Sequence, residues 1–97
     1  MSLEVRISHT ALDTLESLDT ESRERILAKL DSIVDFPEHY LDRLSGIPGY
    51  KLRVGDLRVV VDWDRTAEVL FVVEVLKRKR EYRELSRLRE VWGTWRE

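Results

Sequence analysis

Basic side chains in one short segment are the first group whose types and spacing could do chemistry. Within residues 50–54, Lys51 and Arg53 alternate with apolar residues, and successive side chains of a strand point to opposite faces. A Gly-Asp pair at positions 55 and 56 follows, which is typical of a two-residue type II′ hairpin turn. That turn would place Arg53 directly opposite Arg58 on the polar side of the hairpin.

Two guanidinium groups in that position repel each other, at a cost of up to about 1 kcal/mol, unless an anion or a carboxylate lies between them. A second basic run, at positions 77–80, is followed by Tyr82. Cations that converge with a phenol suit phosphoryl transfer in RNA, where positive charge stabilises the transition state and other groups transfer protons. Tyr82 could also stack on a base.

Each of these groups also has a plainer interpretation. Lys and Arg on the outer face of a sheet usually keep that face hydrated, and the run at 77–80 is equally compatible with a solvated strand end. His9 and His39 are a less favoured acid and base, because nothing in their spacing brings them together. Asp62 and Asp64 flank a turn and are better explained as solvated strand ends than as a magnesium site. We therefore expect no metal and no cofactor.

Composition limits the class of protein. The 97 residues fit one domain, and the absence of cysteine excludes disulfides and thiol catalysis. The net charge of −2 conceals an asymmetry, since residues 1–49 carry a net −5 and residues 50–97 a net +3. An anion site is therefore expected in the second half. The longest apolar run, 69–73, is too short to span a bilayer, and no signal peptide is recognisable, so a cytoplasmic location is the default expectation.

The first half predicts one strand and two helices. Apolar residues alternate at positions 3, 5 and 7, and they then recur at helical spacing from position 11 to 18 and from 26 to 34. Ser8 or Thr10 could cap the first helix, with Asp13 completing a capping box after Thr10. Asp19 or Thr20 begins the second helix, and Pro37 ends it.

The second half predicts strands at about 50–54, 57–63 and 68–77, followed by a helix from about residue 79 to 81 onward. Leu85, Leu88 and Trp92 lie at packing positions of that helix. Trp92 and Trp95 are expected to pack back on the sheet, with an exposed partner-binding stripe as the alternative. The fold class is α+β: a twisted, mostly antiparallel four-stranded sheet with two N-terminal helices packed on one face, a C-terminal helix, and the other face available for chemistry.

Two segments of the chain resemble the RelE/ParE superfamily of toxins. The stretch LSGIPGYKLRVGDLRVV at 44–60 is similar to the central signature of that superfamily, and VLKRKREY at 75–82 is similar to its strand-end pattern. The order of elements matches over about residues 3–85. The resemblance implies a single toxin domain over residues 1–97, with a microbial-ribonuclease-like core and a helical tail at 86–97.

The resemblance also implies an activity: metal-independent cleavage of messenger RNA in the ribosomal A site, which leaves a 2′,3′-cyclic phosphate and inhibits translation. Carried over by position, the catalytic residues are Lys51, Arg53, Arg58, Arg78 and Tyr82, and the RNA-binding residues are Lys77, Lys79 and Arg80. Arg53 stands where the best-studied type has lysine, and a guanidinium suits phosphate binding better than proton transfer.

The implied partners are the ribosome, messenger RNA and a cognate RelB-like antitoxin, in an assembly that could be a toxin-antitoxin heterotetramer. An acidic or amphipathic antitoxin segment would neutralise the basic face. Two alternatives remain open. A ParE-like toxin shares the fold but acts on DNA gyrase, and a catalytically inactive relative only binds its antitoxin. Retention of the five catalytic positions favours the nuclease.

Overall fold

The structure is a computed structural model that describes residues 3–77 and 81–93, and only the backbone of residues 81 and 82. Its helices and strands follow the predicted order. They are β1 (Glu4–Ile7), α1 (His9–Ser17), α2 (Thr20–Ile33), β2 (Asp42–Arg43), β3 (Tyr50–Val54), β4 (Leu57–Asp64), β5 (Val69–Lys77) and α3 (Glu81–Glu90), with a 3₁₀ turn at Pro37–His39. None of the helices among the described residues is long and apolar enough to cross a membrane.

The strands form one mixed sheet in the order β1-β5-β4-β3-β2. β1 runs parallel to β5, and every other neighbouring pair is antiparallel. The predicted α+β architecture is therefore confirmed, with five strands in place of four. The added strand, β2, has only two residues, Asp42 and Arg43, and a segment this short shows no periodicity that a sequence could reveal.

Side-chain caps fix the start of both N-terminal helices. The Ser8 hydroxyl accepts a hydrogen bond from the Ala11 amide at 3.0 Å, so Ser8 is the N-cap of α1. The predicted capping box of Thr10 and Asp13 was wrong, because Thr10 already lies inside the helix. Asp19 caps α2 by accepting from the Ser22 amide at 3.1 Å, and its hydrogen bonds with Ser22 lower the pKa of the Asp19 carboxyl.

Helices α1 and α2 pack on one face of the sheet and form the main hydrophobic core with it. Fully buried Leu and Ile side chains contribute about 1.5–3 kcal/mol each to the free energy of folding. The buried members of this core are Ala11, Leu15, Ile26, Leu30, Ile33, Leu41, Leu52, Val59, Val61, Leu70, Val72 and Val75.

A second, smaller core lies on the opposite face of the sheet. Val60, Val73 and Leu76 pack there against Leu88 of α3, with Leu44, Leu85 and Trp92 at its border. β5 is therefore covered on both faces, as its continuous apolar run predicts. The expectation that this second face stays available was correct only in part, because α3 covers its centre.

A β-bulge in β5 links the two halves of the fold. Val61 pairs with Val72 while Val60 pairs with Glu74, so Val73 is an extra residue in the ladder. The Ser8 hydroxyl donates to the Val73 carbonyl at 2.7 Å. The bulge also explains a buried carboxylate, since Glu74 accepts from the Thr14 hydroxyl and the Val75 amide at 2.7 and 2.8 Å. These bonds fasten α1 to the centre of the sheet.

Because Ser8 both caps α1 and bonds to the bulge, Ser8→Ala is expected to lower the free energy of unfolding by about 1–2 kcal/mol. Urea denaturation monitored by circular dichroism measures this loss. Thr10→Ala is the matched control, since Thr10 is exposed and offers only its backbone carbonyl to Thr14; a change within about 0.5 kcal/mol is expected there. Equal losses in the two variants would contradict the assignment of the cap.

Candidate functional site

The register of the β3–β4 hairpin is the one that its turn predicts. Val54 pairs with Leu57, and Arg53 pairs with Arg58. Gly55 has a φ of 59°, whereas Asp56 is not among the described residues with positive φ, a combination that fits a type II′ turn. The two arginines are therefore opposite each other across the ladder, with Cα atoms about 5.5 Å apart in a hydrogen-bonded pair or closer in the alternative one.

Arg58 is held in place by the turn itself. It lies on the central strand β4, and the residue is only 6% exposed. Its Nη1 atom donates to the carbonyl of Leu57 at 3.2 Å and is 3.4 Å from the carbonyl of Gly55. A guanidinium fixed by backbone carbonyls is ordered before any anion binds, so less conformational entropy is lost on binding.

Lys51 and Arg53 differ from Arg58 in exposure. Lys51 lies opposite Val60 of β4 and is half-buried, whereas Arg53 is exposed. β2 pairs only with the first two residues of β3, so the outer edge of β3 is uncovered around Arg53. By strand alternation all three basic residues belong to the sheet face opposite α1 and α2, and of the three only Arg53 is exposed.

The structure does not bring Lys77 to this group. Lys77 pairs with Leu57 and lines a cleft of about 230 Å³ together with Thr14 and Ser17 of α1. Its side chain is therefore on the helix-covered side of the sheet. Arg78, Lys79 and Arg80 lie outside the described residues, as do the side chain of Tyr82 and the whole of Trp95.

The alternative acid-base and metal candidates lie apart from the hairpin. His9 is the first residue of α1, and the His39 ring lies edge to face with the Phe36 ring in the 3₁₀ turn, with centroids 5.9 Å apart. The Asp64 carboxylate accepts from the Ala67 amide at 2.9 Å and so closes the β4–β5 turn. Within residues 3–77 and 81–93, no cluster of side chains could hold a metal ion.

Two glycines, Gly46 and Gly49, allow the side chains of Arg89 and Trp92 to lie close to the backbone before β3. The sequence alone did not predict this role. A Cβ atom on Gly49 would collide with the Trp92 indole and come within 2.8 Å of the Val61 carbonyl. Gly46 has a φ of 76°, and a Cβ atom there would lie 3.0 Å from the Arg89 guanidinium. Trp92 therefore packs back on the sheet, as predicted. The glycines at positions 46 and 49, directly before β3, were the feature of the sequence that could have predicted a close contact with the backbone here.

Solved structures with this fold define the class of the protein. RelE in the RelE-RelB complex of Pyrococcus horikoshii is 25% identical, with a TM-score of 0.70 over 82% of this chain and 99% of that one. A mutant RelE toxin of E. coli in the free state is 28% identical, with a TM-score of 0.73 over 90% of this chain and 93% of that one. RelE in the intact E. coli RelBE complex is 27% identical, with a TM-score of 0.67 over 78% of this chain and 96% of that one.

The family model for ParE toxins of type II toxin-antitoxin systems matches residues 5–82. The chain therefore belongs to this family of toxins, within the RelE/ParE superfamily that its motifs indicated. No curated protein sequence matches the chain. The protein is thus a type II toxin by family, while its molecular target has to be argued from the site.

Gly49→Ala is expected to lower the free energy of unfolding by about 1–3 kcal/mol, because the added methyl group overpacks the contact with Trp92. Urea denaturation of Gly49→Ala, Trp92→Ala and the double variant forms a cycle that measures the coupling between the two positions. The double variant should lose less than the sum of the two single losses. Strict additivity would show that Gly49 and Trp92 do not interact.

Proposed function

We propose that this toxin is a metal-independent endoribonuclease that cleaves messenger RNA in the ribosomal A site and so inhibits translation. The observation that carries the proposal is the cross-strand pair of Arg53 and Arg58, with Lys51 on the same face of the sheet. Two guanidinium groups at opposed positions repel each other, and an anion that binds between them is attracted by both.

The surroundings of the pair support an anionic ligand. The Arg53 side chain forms no ion pair within the part of the chain that the structure describes. Arg58 donates to carbonyl oxygens of the turn, which orient its guanidinium. A scissile phosphate would therefore meet one buried, ordered cation and one exposed cation. Guanidinium groups suit this role because their N–H donors match the geometry of phosphate oxygens.

The proposed reaction is an internal phosphoryl transfer. The 2′-oxygen of a nucleotide attacks the adjacent phosphorus, a new P–O2′ bond forms, and the P–O5′ bond breaks. The products are a 2′,3′-cyclic phosphate and a 5′-hydroxyl, so one group must accept the 2′-hydroxyl proton and another must protonate the leaving oxygen. Arg53 and Arg58 would stabilise the added negative charge of the pentavalent phosphorus, and their contribution requires no metal ion.

The remaining roles follow from the resemblance. Of the described basic residues of the site, Lys51 is the one suited to moving a proton, since an arginine stays charged. Arg78 would add a further positive charge, and Tyr82 would orient or stack on the substrate. Lys79 and Arg80 would bind the RNA backbone beside them, whereas Lys77, on the other side of the sheet, would contact RNA only beyond the strand end.

An antitoxin partner is part of the proposal. Relatives from Pyrococcus horikoshii and E. coli were crystallised in complex with RelB antitoxins. A RelB-like antitoxin with an acidic or amphipathic segment would cover Lys51, Arg53 and Arg58 and keep RNA away from them. Two toxin and two antitoxin chains would then form a heterotetramer.

Inhibition of DNA gyrase is the second candidate function, and the match to the ParE family model favours it. Two observations weigh towards the nuclease. The chain keeps basic residues at positions 51, 53 and 58, and the solved structures described above are RelE toxins.

Arg58→Ala is expected to reduce cleavage at least about 100-fold, because it removes the ordered cation from the transition state. Primer extension on a reporter message in a cell-free translation system measures this loss. Arg6→Ala is the matched control. Arg6 is an exposed arginine on β1, at the opposite edge of the sheet, and its removal should leave cleavage unchanged.

Circular dichroism and thermal unfolding of Arg58→Ala accompany the assay, because Arg58 is buried, and Arg53→Ala provides an exposed second variant. Translation-dependent cuts that disappear in both variants would support the nuclease. An intact message with the wild-type toxin, together with inhibition of gyrase supercoiling, would instead assign the protein to the gyrase-directed toxins.

A further inference from the structure

A groove between α2 and the β3–β4 hairpin is a feature that the proposed reaction leaves unused. It has a volume of about 460 Å³. The groove is lined by Arg25, Ala28, Lys29 and Ser32 from α2, and by Arg53, Val54 and Gly55 from the hairpin. We call this feature the α2 groove. Three of its seven lining residues are cationic, and none is acidic.

This charge distribution runs against the composition of the region, since residues 1–49 carry twice as many acidic as basic side chains. Two of the three carboxylates of α2 lie on another side of the helix from these cations. At about 100° per residue, Arg25, Lys29 and Ser32 share one stripe of α2, while Glu24 and Asp31 lie about a quarter turn away from that stripe. Arg25 also contacts Glu21 at 3.7 Å, but this pair is exposed on both sides and therefore weak.

A row of exposed rings continues from the groove. The Lys29 ammonium lies 4.6 Å from the centre of the Tyr40 ring. Tyr40 is followed by His39 and then by Phe36, with ring centroids 6.5 and 5.9 Å apart. Phe36 is 63% exposed and Tyr40 is 43% exposed. Single exposed apolar residues are ordinary on protein surfaces, but three consecutive rings beside a cationic groove form a stacking surface.

We propose that the α2 groove and these three rings bind single-stranded RNA, with phosphates along the cations and bases against Tyr40, His39 and Phe36. The inference rests on the proposed function in that it gives an RNA-directed toxin a second contact with RNA, outside the reactive hairpin. RNA is favoured over an acidic polypeptide because a polypeptide would use the charges alone, whereas exposed rings have a direct use in stacking on bases.

Arg53 connects the two surfaces. It pairs with Arg58 across the hairpin and also lines the α2 groove. The edge of β3 beside Arg53 is not covered by β2, so a strand of RNA could pass around this edge without displacing an element of the sheet. The groove would thus hold RNA that flanks the phosphate at the arginine pair.

The test is binding of a fluorescent 2′-O-methyl oligouridine of about 12 nucleotides to the full-length toxin, measured by fluorescence anisotropy from about 50 to 200 mM salt. This probe lacks the 2′-hydroxyl and cannot be cleaved. Lys29→Ala should weaken binding several-fold and reduce the slope of log affinity against log salt by about 0.7. The control Arg6→Ala removes one exposed cation at the far edge of the sheet and should leave both quantities unchanged.

Phe36→Ala tests the stacking surface separately. It should weaken binding about fivefold or more while the salt slope stays the same, because stacking releases no counterions. Leu27→Ala removes an apolar side chain that is 44% exposed, on another side of α2, and is the matched control. Thermal unfolding should be similar for all four variants, since each of these side chains lies at the surface or is only partly buried.

Affinities and slopes equal to those of the wild-type toxin in Lys29→Ala and Phe36→Ala would overturn the inference, whatever the absolute affinity. So would displacement of the probe by polyglutamate combined with no effect of Phe36→Ala, since the groove would then bind an acidic chain. The two proposals fail separately. If the toxin cleaves RNA but Lys29→Ala and Phe36→Ala bind the probe as the wild type does, only the proposed nuclease activity is supported. If these variants weaken binding but the toxin does not cleave RNA, only the proposed RNA-binding groove is supported.

Discussion

The register of the β3–β4 hairpin is the constraint on which the rest of the molecule depends. A slip of one residue would turn Leu52 and Val59 out of the main core and turn Arg53 and Arg58 into it. Leu52 and Val59 are fully buried, and their burial contributes about 1.5–3 kcal/mol each. That energy exceeds the repulsion of two opposed arginines, which costs up to about 1 kcal/mol. The apolar side of the hairpin therefore maintains an arrangement that its polar side would not adopt alone.

The helices restrict where chemistry can occur on this sheet. α1 and α2 cover one face completely enough to form the main core, and α3 covers the centre of the other through Leu88 and the contact of Trp92 with Gly49. Among the described residues the second core does not extend to the end of the hairpin, where Arg53 and the adjacent edge of β3 are exposed. Within the part of the chain that the structure describes, the basic residues thus lie outside the second core, where a site can vary without loss of that core.

The sequence predicted the hairpin and its arginine pair because the alternation of residues 50–54 and the Gly-Asp turn act over a few residues. It could not predict the bulge at Val73, because an extra residue within a continuous apolar run changes no pattern. The bulge also decides on which face of the sheet Lys77 lies. Val72 and Val75, three residues apart, both belong to the main core, so the bulge reverses the alternation beyond it and places Lys77 on the helix side. β2 could not be predicted because it has only two residues. The row of Phe36, His39 and Tyr40 could not be predicted because these rings come together only in the folded turn.

The net charge of −2 is no argument against the proposed binding of RNA. Screening limits the reach of a surface charge to about 8–10 Å at physiological salt, so an RNA strand responds to the charges beside it and not to the sum of −2. α2 keeps Glu24 and Asp31 off the groove stripe, and by strand alternation the hairpin directs its two arginines to one face. Arg53 lies on that face and also borders the groove at the uncovered edge of β3, and a guanidinium at this position keeps its charge whatever proton transfer occurs at Lys51.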